Sequence, residues 1–112
     1  MSDMIEYVSD ETFASDVGGI AEPILLDFTA DWCAPCKAMD PVLEQVRKKY
    51  AGQLRVLKVD LDESTEICSQ FGVFSIPTLI FLANGEAKYR LGGARGYDQL
   101  VQEVDSFLQG SQ

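Results

Sequence analysis

Cys33 and Cys36 stand three positions apart in the stretch Trp32-Cys33-Ala34-Pro35-Cys36-Lys37. Cysteines at that spacing can supply two ligands to a metal, close a small structural loop, or cycle between dithiol and disulfide. A structural zinc needs four ligands; Cys68 offers a third, and the chain contains no histidine to be a fourth. A loop so short removes little chain entropy from the unfolded state, and a cytosol would keep it reduced. The lack of histidine also excludes cysteine–histidine or serine–histidine pairs and histidine pH switches.

The redox reading depends on the elements that hold the pair. Residues 24–30 form a nearly continuous apolar run, as a strand covered on both faces does. After Cys36 the period changes: Met39, Val42, Leu43, Val46 and Tyr50 recur at helical spacing, with Glu44, Arg47, Lys48 and Lys49 on the other face. Pro41 lies inside that helix and is expected to kink it. The pair thus follows a buried strand and opens a long helix, the context in which this spacing signals redox chemistry. Cys33 falls at or just before the first helical turn, where unpaired N–H groups and the positive helix end favour a thiolate. Cys36 lies one turn further in and is expected to be more buried. Position alone makes Cys33 the nucleophile and Cys36 the resolving thiol. Pro35 loses nothing by lacking an N–H so early in a helix.

Two other places bear on the chemistry. Asp27 interrupts the apolar strand six residues before Cys33. A buried carboxylate is costly unless protonated, paired or used, and burial raises its pKa. Asp27 is therefore a candidate proton acceptor for Cys36, the plainer alternative being that this face is wet. Lys58, on the next strand, is either its partner or a surface lysine at a strand end. In Ile76-Pro77-Thr78 a proline opens a core strand, which suggests a cis bond or, more simply, turn initiation.

The other elements follow from pattern and punctuation. Residues 5–8 alternate weakly, as an edge strand does, and 11–16 read as a short helix ended by Gly18-Gly19. Residues 54–61 read as a strand, 63–71 as a helix stopped by Gly72, and 78–82 as a core strand. Asn84-Gly85 turns the chain into a strand over 86–91, and a last helix from Tyr97 buries Leu100, Val101, Val104, Phe107 and Leu108. The economical fold is α/β: a mixed five-stranded sheet with helices on both faces.

A length of 112 residues suits one domain spanning 1–112, without repeats or linkers. The net charge is −9, and the first 36 residues carry eight acidic side chains and no lysine or arginine. Such acidity argues against nucleic acid. Met1-Ser2-Asp3-Met4 does not read as the start of a secretory leader, and the apolar run near Ile24 is too short to cross a bilayer. No membrane partner and a cytoplasmic location are the expectations.

The segments "DFTADWCAPCK" (27–37), "KVDLDE" (58–63), "SIPT" (75–78), "NGE" (84–86) and "GGA" (92–94) together resemble the thioredoxin family in content, order and spacing. The resemblance covers roughly residues 5–109. It implies the thioredoxin fold and reduction of disulfides in client proteins through a Cys33–Cys36 disulfide couple. On the matching positions Cys33 attacks, Cys36 resolves, Asp27 assists proton transfer, Lys58 modulates Asp27, and Pro77 is a cis-proline beside the cysteines. Trp32, Ala34, Pro35, Ile76, Gly93 and Ala94 match the substrate-docking rim, where client backbone pairs near Ile76. The family binds no cofactor; a reductase drawing on NADPH or ferredoxin recharges it, and a monomer is the expected state.

The chain departs from the family pattern in places. Ala34 stands where glycine is usual, Thr29 where tryptophan is frequent, and Phe74-Ser75 where arginine and glycine are common. Phe74 is expected to be a half-buried loop aromatic; the alternative is a wider apolar docking patch. Cys68 is expected to be a small core residue rather than a regulatory thiol. Two other functions stay open: an oxidant or isomerase, against which Pro35 in place of histidine argues, and a binding subunit with idle cysteines.

Overall fold

Side-chain burial sorts the sequence into two cores separated by one sheet. The computed structural model describes residues 5–110. The expectation about residues 1–4 lies outside that range. Strands β1 (Tyr7–Val8), β2 (Ile24–Thr29), β3 (Arg55–Asp60), β4 (Thr78–Ala83) and β5 (Glu86–Gly92) lie in the order β1-β3-β2-β4-β5. β2 and β4 are buried at every position, which is why their sequences run apolar without alternation. β1 and β2 each pair parallel with β3, whereas β4 pairs antiparallel with both β2 and β5. The mixed five-stranded sheet read from the sequence is the sheet observed.

The helices divide between its two faces. α1 (Ala34–Lys49) and α3 (Tyr97–Gly110) share a core with Leu25, Val56, Leu79 and Phe81, while α2 (Thr65–Phe71) covers Leu26, Phe28, Val59 and Ile80 on the opposite face. Strand periodicity explains the split, because alternate residues of each strand point to opposite faces. α1 buries Cys36, Met39, Leu43 and Val46, one stripe at helical spacing, and runs through Pro41 without a break. Phe81 stacks on Phe107 at 4.8 Å, and the Tyr50 hydroxyl donates to Asp105 Oδ1 at 2.6 Å, so α3 is fixed to both the sheet and α1.

Chain ends of elements are set by backbone conformation. α2 stops at Gly72, whose φ of 65° places it in the left-handed region. Asn84 and Gly85 both take positive φ, 55° and 77°, the pairing that a two-residue turn between antiparallel strands demands. The first strand is shorter than 5–8, at Tyr7–Val8, the other strands differ by a residue at one or both ends, and two helices differ from expectation. The first helix lies later than residues 11–16: it is a π-helical turn at Ala14–Gly18, entered through a Ser9–Thr12 turn in which the Ser9 N–H donates to Thr12 Oγ1. α2 begins at Thr65 rather than Glu63, because the Asp60 carboxylate accepts the Asp62 and Glu63 N–H groups and holds them in a turn.

Candidate active site

The end of β2 delivers the chain to α1 in four residues, and that connection creates the site. Cys33 is the N-cap of α1, with extended backbone, and its Sγ accepts the Cys36 N–H at 3.3 Å. A sulfur is therefore in the place where serine or aspartate usually caps a helix. Any negative charge on that sulfur meets the unpaired N–H groups and the positive end of a 16-residue helix. Ala34 and Pro35 form the exposed first turn, with Pro35 where its missing N–H leaves nothing unsatisfied.

Cys33 and Cys36 are joined by a disulfide, with their Cα atoms 5.3 Å apart. Cys33 is 4% exposed and Cys36 1%, so the second cysteine is the deeper of the two. Ala30 clusters with both cysteines, and Leu61 and Ile76 pack against that cluster. Ile76 precedes Pro77 through a cis peptide bond, and the Gly93 N–H donates to Pro77 O at 2.9 Å. The loop carrying Gly93 and the exposed Ala94 is thereby held against the segment that lies on the disulfide.

Trp32 is 66% exposed, and its indole N–H donates to Asp62 Oδ2 at 2.9 Å. Asp62 belongs to the quoted 58–63 segment, but its link to Trp32 was not foreseen. Phe74 is 86% exposed, which overturns the expectation of a half-buried loop aromatic. Val73 and Ile76 occupy the inward positions of that loop, so Phe74 and Ser75 face out.

Asp27 is 1% exposed in the middle of β2, and neither carboxylate oxygen has a hydrogen-bond partner. The face it occupies is closed to bulk solvent at that position. Burial pushes its pKa up to about 7 from an ordinary 3.8; the Lys58 ammonium opposes this and the Asp40 carboxylate adds to it. Asp27 and Lys58 are register partners on β2 and β3, so they share the sheet face beneath α1. The ammonium of Lys58 is nonetheless tied elsewhere, to Asp40 Oδ1 at 2.9 Å, with its side chain only 13% exposed. Asp40 was not singled out from sequence; its one signal is its place next to Met39, at the edge of the buried stripe of α1.

Cys68 is a free, buried thiol among Ile67, Val8 and Phe28, and burial raises its pKa. It sits in the core on the other side of the sheet from Asp27. Among the described residues, no group of three or more histidine, cysteine, aspartate or glutamate side chains is placed to hold a metal ion.

The thioredoxin family model matches residues 4–106. A thioredoxin of Acidithiobacillus ferridurans is 42% identical over 108 residues, covering 96% of this chain and all of that protein. A thioredoxin of Mycobacterium tuberculosis is 43% identical over 101 residues, covering 90% of this chain and 87% of the relative. A bifunctional thioredoxin reductase/thioredoxin of Mycobacterium leprae is 40% identical over 101 residues, 90% of this chain and 22% of that longer protein. With a helix-capping cysteine disulfide-bonded one turn into the helix beside a cis-proline, on a β1-β3-β2-β4-β5 sheet, the chain belongs to the thioredoxin family and is a thiol–disulfide oxidoreductase that reduces protein disulfides.

Proposed function

We propose that the reaction runs with Cys33 as attacking thiolate, Cys36 as resolving thiol and Asp27 as proton carrier. In the reduced protein, Cys33 Sγ⁻ attacks one sulfur of a client disulfide. A mixed disulfide forms, and the other client sulfur leaves as a thiolate that takes up a proton. Cys36 then gives its proton to Asp27, attacks Cys33 Sγ and expels the second client thiolate. Two electrons have passed to the client, and the Cys33–Cys36 disulfide remains. The observation that carries this reading is the Cys33 sulfur held at the N-terminus of α1 on the Cys36 N–H.

A pKa near 7 suits Asp27 to the task, because the carboxyl is then about half ionised at neutral pH. Lys58 modulates that value through its charge. Trp32, Ala34, Pro35, Ile76, Gly93 and Ala94 form the docking rim, with Pro77 shaping the groove and Phe74 extending it with an exposed apolar ring. Client backbone pairs in extended form beside Ile76.

The electrons come from a reductase that uses NADPH or ferredoxin. The mycobacterial relative whose name joins a thioredoxin reductase to a thioredoxin supports such a partner. The sharing of a single sheet by the strands supports one domain, which we extend over 1–112, with a monomer as the proposed working unit. Among the described residues no helix is long and apolar enough to cross a membrane, which agrees with the proposed cytoplasmic location.

Trapping tests the division of labour. Reduced Cys36→Ser protein mixed with a disulfide-bonded client should accumulate a covalent adduct, which intact-mass analysis and peptide mapping place on Cys33. An adduct on Cys68, or none at all, would refute the assignment.

A further inference from the structure

Tyr7, Lys58 and Asp27 lie in register across β1, β3 and β2, on the sheet face that α1 covers. The next position in the row, on β4, is Leu79 and brings no charge. Asp27 thus has one cationic neighbour in the row. That neighbour points its ammonium at Asp40 of α1, 2.9 Å away, with the Tyr7 ring 5.7 Å from Nζ. A cavity of about 460 Å³ opens beside this pair, lined by Ile5, Tyr7, Asp40, Pro41, Glu44 and Lys58. The Asp40 side chain is 42% exposed and Lys58 13%, so Asp40 holds Lys58 from the solvent side. Both Asp27 oxygens lie buried with no hydrogen-bond partner.

Two carboxylates compete for one ammonium, and the outer one has it. A lysine bonded directly to Asp27 would keep that carboxyl ionised and unable to accept a proton from a thiol of ordinary acidity. We propose that Asp40 is a positioning residue for this reaction: by holding the Lys58 ammonium, it keeps Lys58 from neutralising Asp27 and leaves Asp27 free to exchange a proton. The proposal rests on the reading of Asp27 as the proton carrier. The charges on Asp27 agree with it, since Lys58 lowers its pKa and Asp40 raises it. Lys58 agrees too: burial works to lower its pKa, and the contact with Asp40, first among the opposing causes and joined by the charges of Tyr7 and Asp27, turns the balance upward. Glu44, at the cavity rim, and Cys36, on the inner stripe of α1, are the other titratable groups that α1 brings to this face.

The test uses the full chain in its disulfide form, in which Cys33 and Cys36 do not titrate. The Asp27 carboxyl carbon is followed by NMR across pH in wild type, Asp40→Asn, Asp40→Ala, Lys58→Met and Asp40→Ala/Lys58→Met. Both Asp40 variants should lower the Asp27 midpoint by about one pH unit, the size expected of a nearby ion gained. Lys58→Met should raise it, and Asp40→Ala should have a much smaller effect once Lys58 is absent. An unchanged or raised midpoint in the Asp40 variants would overturn the proposal, as would an equal drop in the Lys58→Met background.

The pH profile of disulfide reduction supplies the second readout. Its acid limb should move down with the Asp27 midpoint in Asp40→Asn, whereas in Asp27→Asn only the limb set by Cys33 ionisation should remain, and adding Asp40→Asn should leave it in place. An Asp40→Asn shift of the limb that persists in the Asp27→Asn background would sink the proton-carrier reading, while the NMR midpoints would still decide whether Asp40 governs Asp27.

Discussion

Cys33→Ser is expected to lose protein disulfide reduction by more than about 10⁴-fold, because a serine hydroxyl stays protonated where a thiolate is required. The helix end that favours a sulfur anion cannot bring an alcohol into its ionised form near neutral pH. Cys36 does not take over: it is 1% exposed and lies a turn inside α1, beneath Ala30 and Ile76. The check is turnover with a disulfide-bonded client and excess reductant, alongside Cys68→Ser as a control. Turnover within tenfold of wild type in Cys33→Ser would mean that another sulfur carries the reaction. The fold should survive, since Cys33 contributes to a small cluster at the edge of the two main cores.

Asp27→Ala should make the protein more stable at pH 8 and slow its reduction of clients. The sign follows from proton binding. Asp27 has a folded pKa of about 7, above its ordinary 3.8, so between those values the folded state holds more protons than the unfolded state. Stability therefore falls as pH rises from about 4 to about 7 and levels off above that. At 1.36 kcal/mol per pH unit the loss is roughly 4 kcal/mol, from burying a carboxylate without a hydrogen bond. Alanine removes this cost and leaves a small void worth about 1 kcal/mol. The variant should gain roughly 3 kcal/mol at pH 8 and lose about 1 kcal/mol at pH 3, measured by denaturant unfolding of the disulfide form. A difference that does not change between pH 4 and 8 would show that Asp27 has no raised pKa. The lost activity would come from the resolving step, which needs a proton acceptor for Cys36.

The parts of the fold that were legible in the sequence are those where burial and backbone chemistry act locally. β2 and β4 read as covered strands because every residue in them is buried. Gly72 and Asn84-Gly85 announced their turns because positive φ favours those residue types. The Cys33 cap followed from the strand-to-helix change of period alone. What escaped depends on how elements rotate against one another. Asp40 reads as the polar edge of a helix, and only the placement of α1 over β3 brings it to Lys58. Phe74 is apolar, so half-burial was the reasonable expectation, yet the loop between α2 and β4 turns Val73, Ile76 and Pro77 inward and leaves Phe74 outside. The π-helical turn at Ala14–Gly18 leaves no periodic signal in so short a segment.

The most direct test of the central claim is the reduction potential of the Cys33–Cys36 couple, taken by equilibration against a thiol buffer with quantified free thiols. The account predicts a value near the roughly −270 mV of reducing members of this fold, with Ala34 a neutral change in the exposed first turn of α1. A value between about −180 and −120 mV, the range of isomerases and oxidants, would contradict it and mean that electrons flow from client thiols to this disulfide.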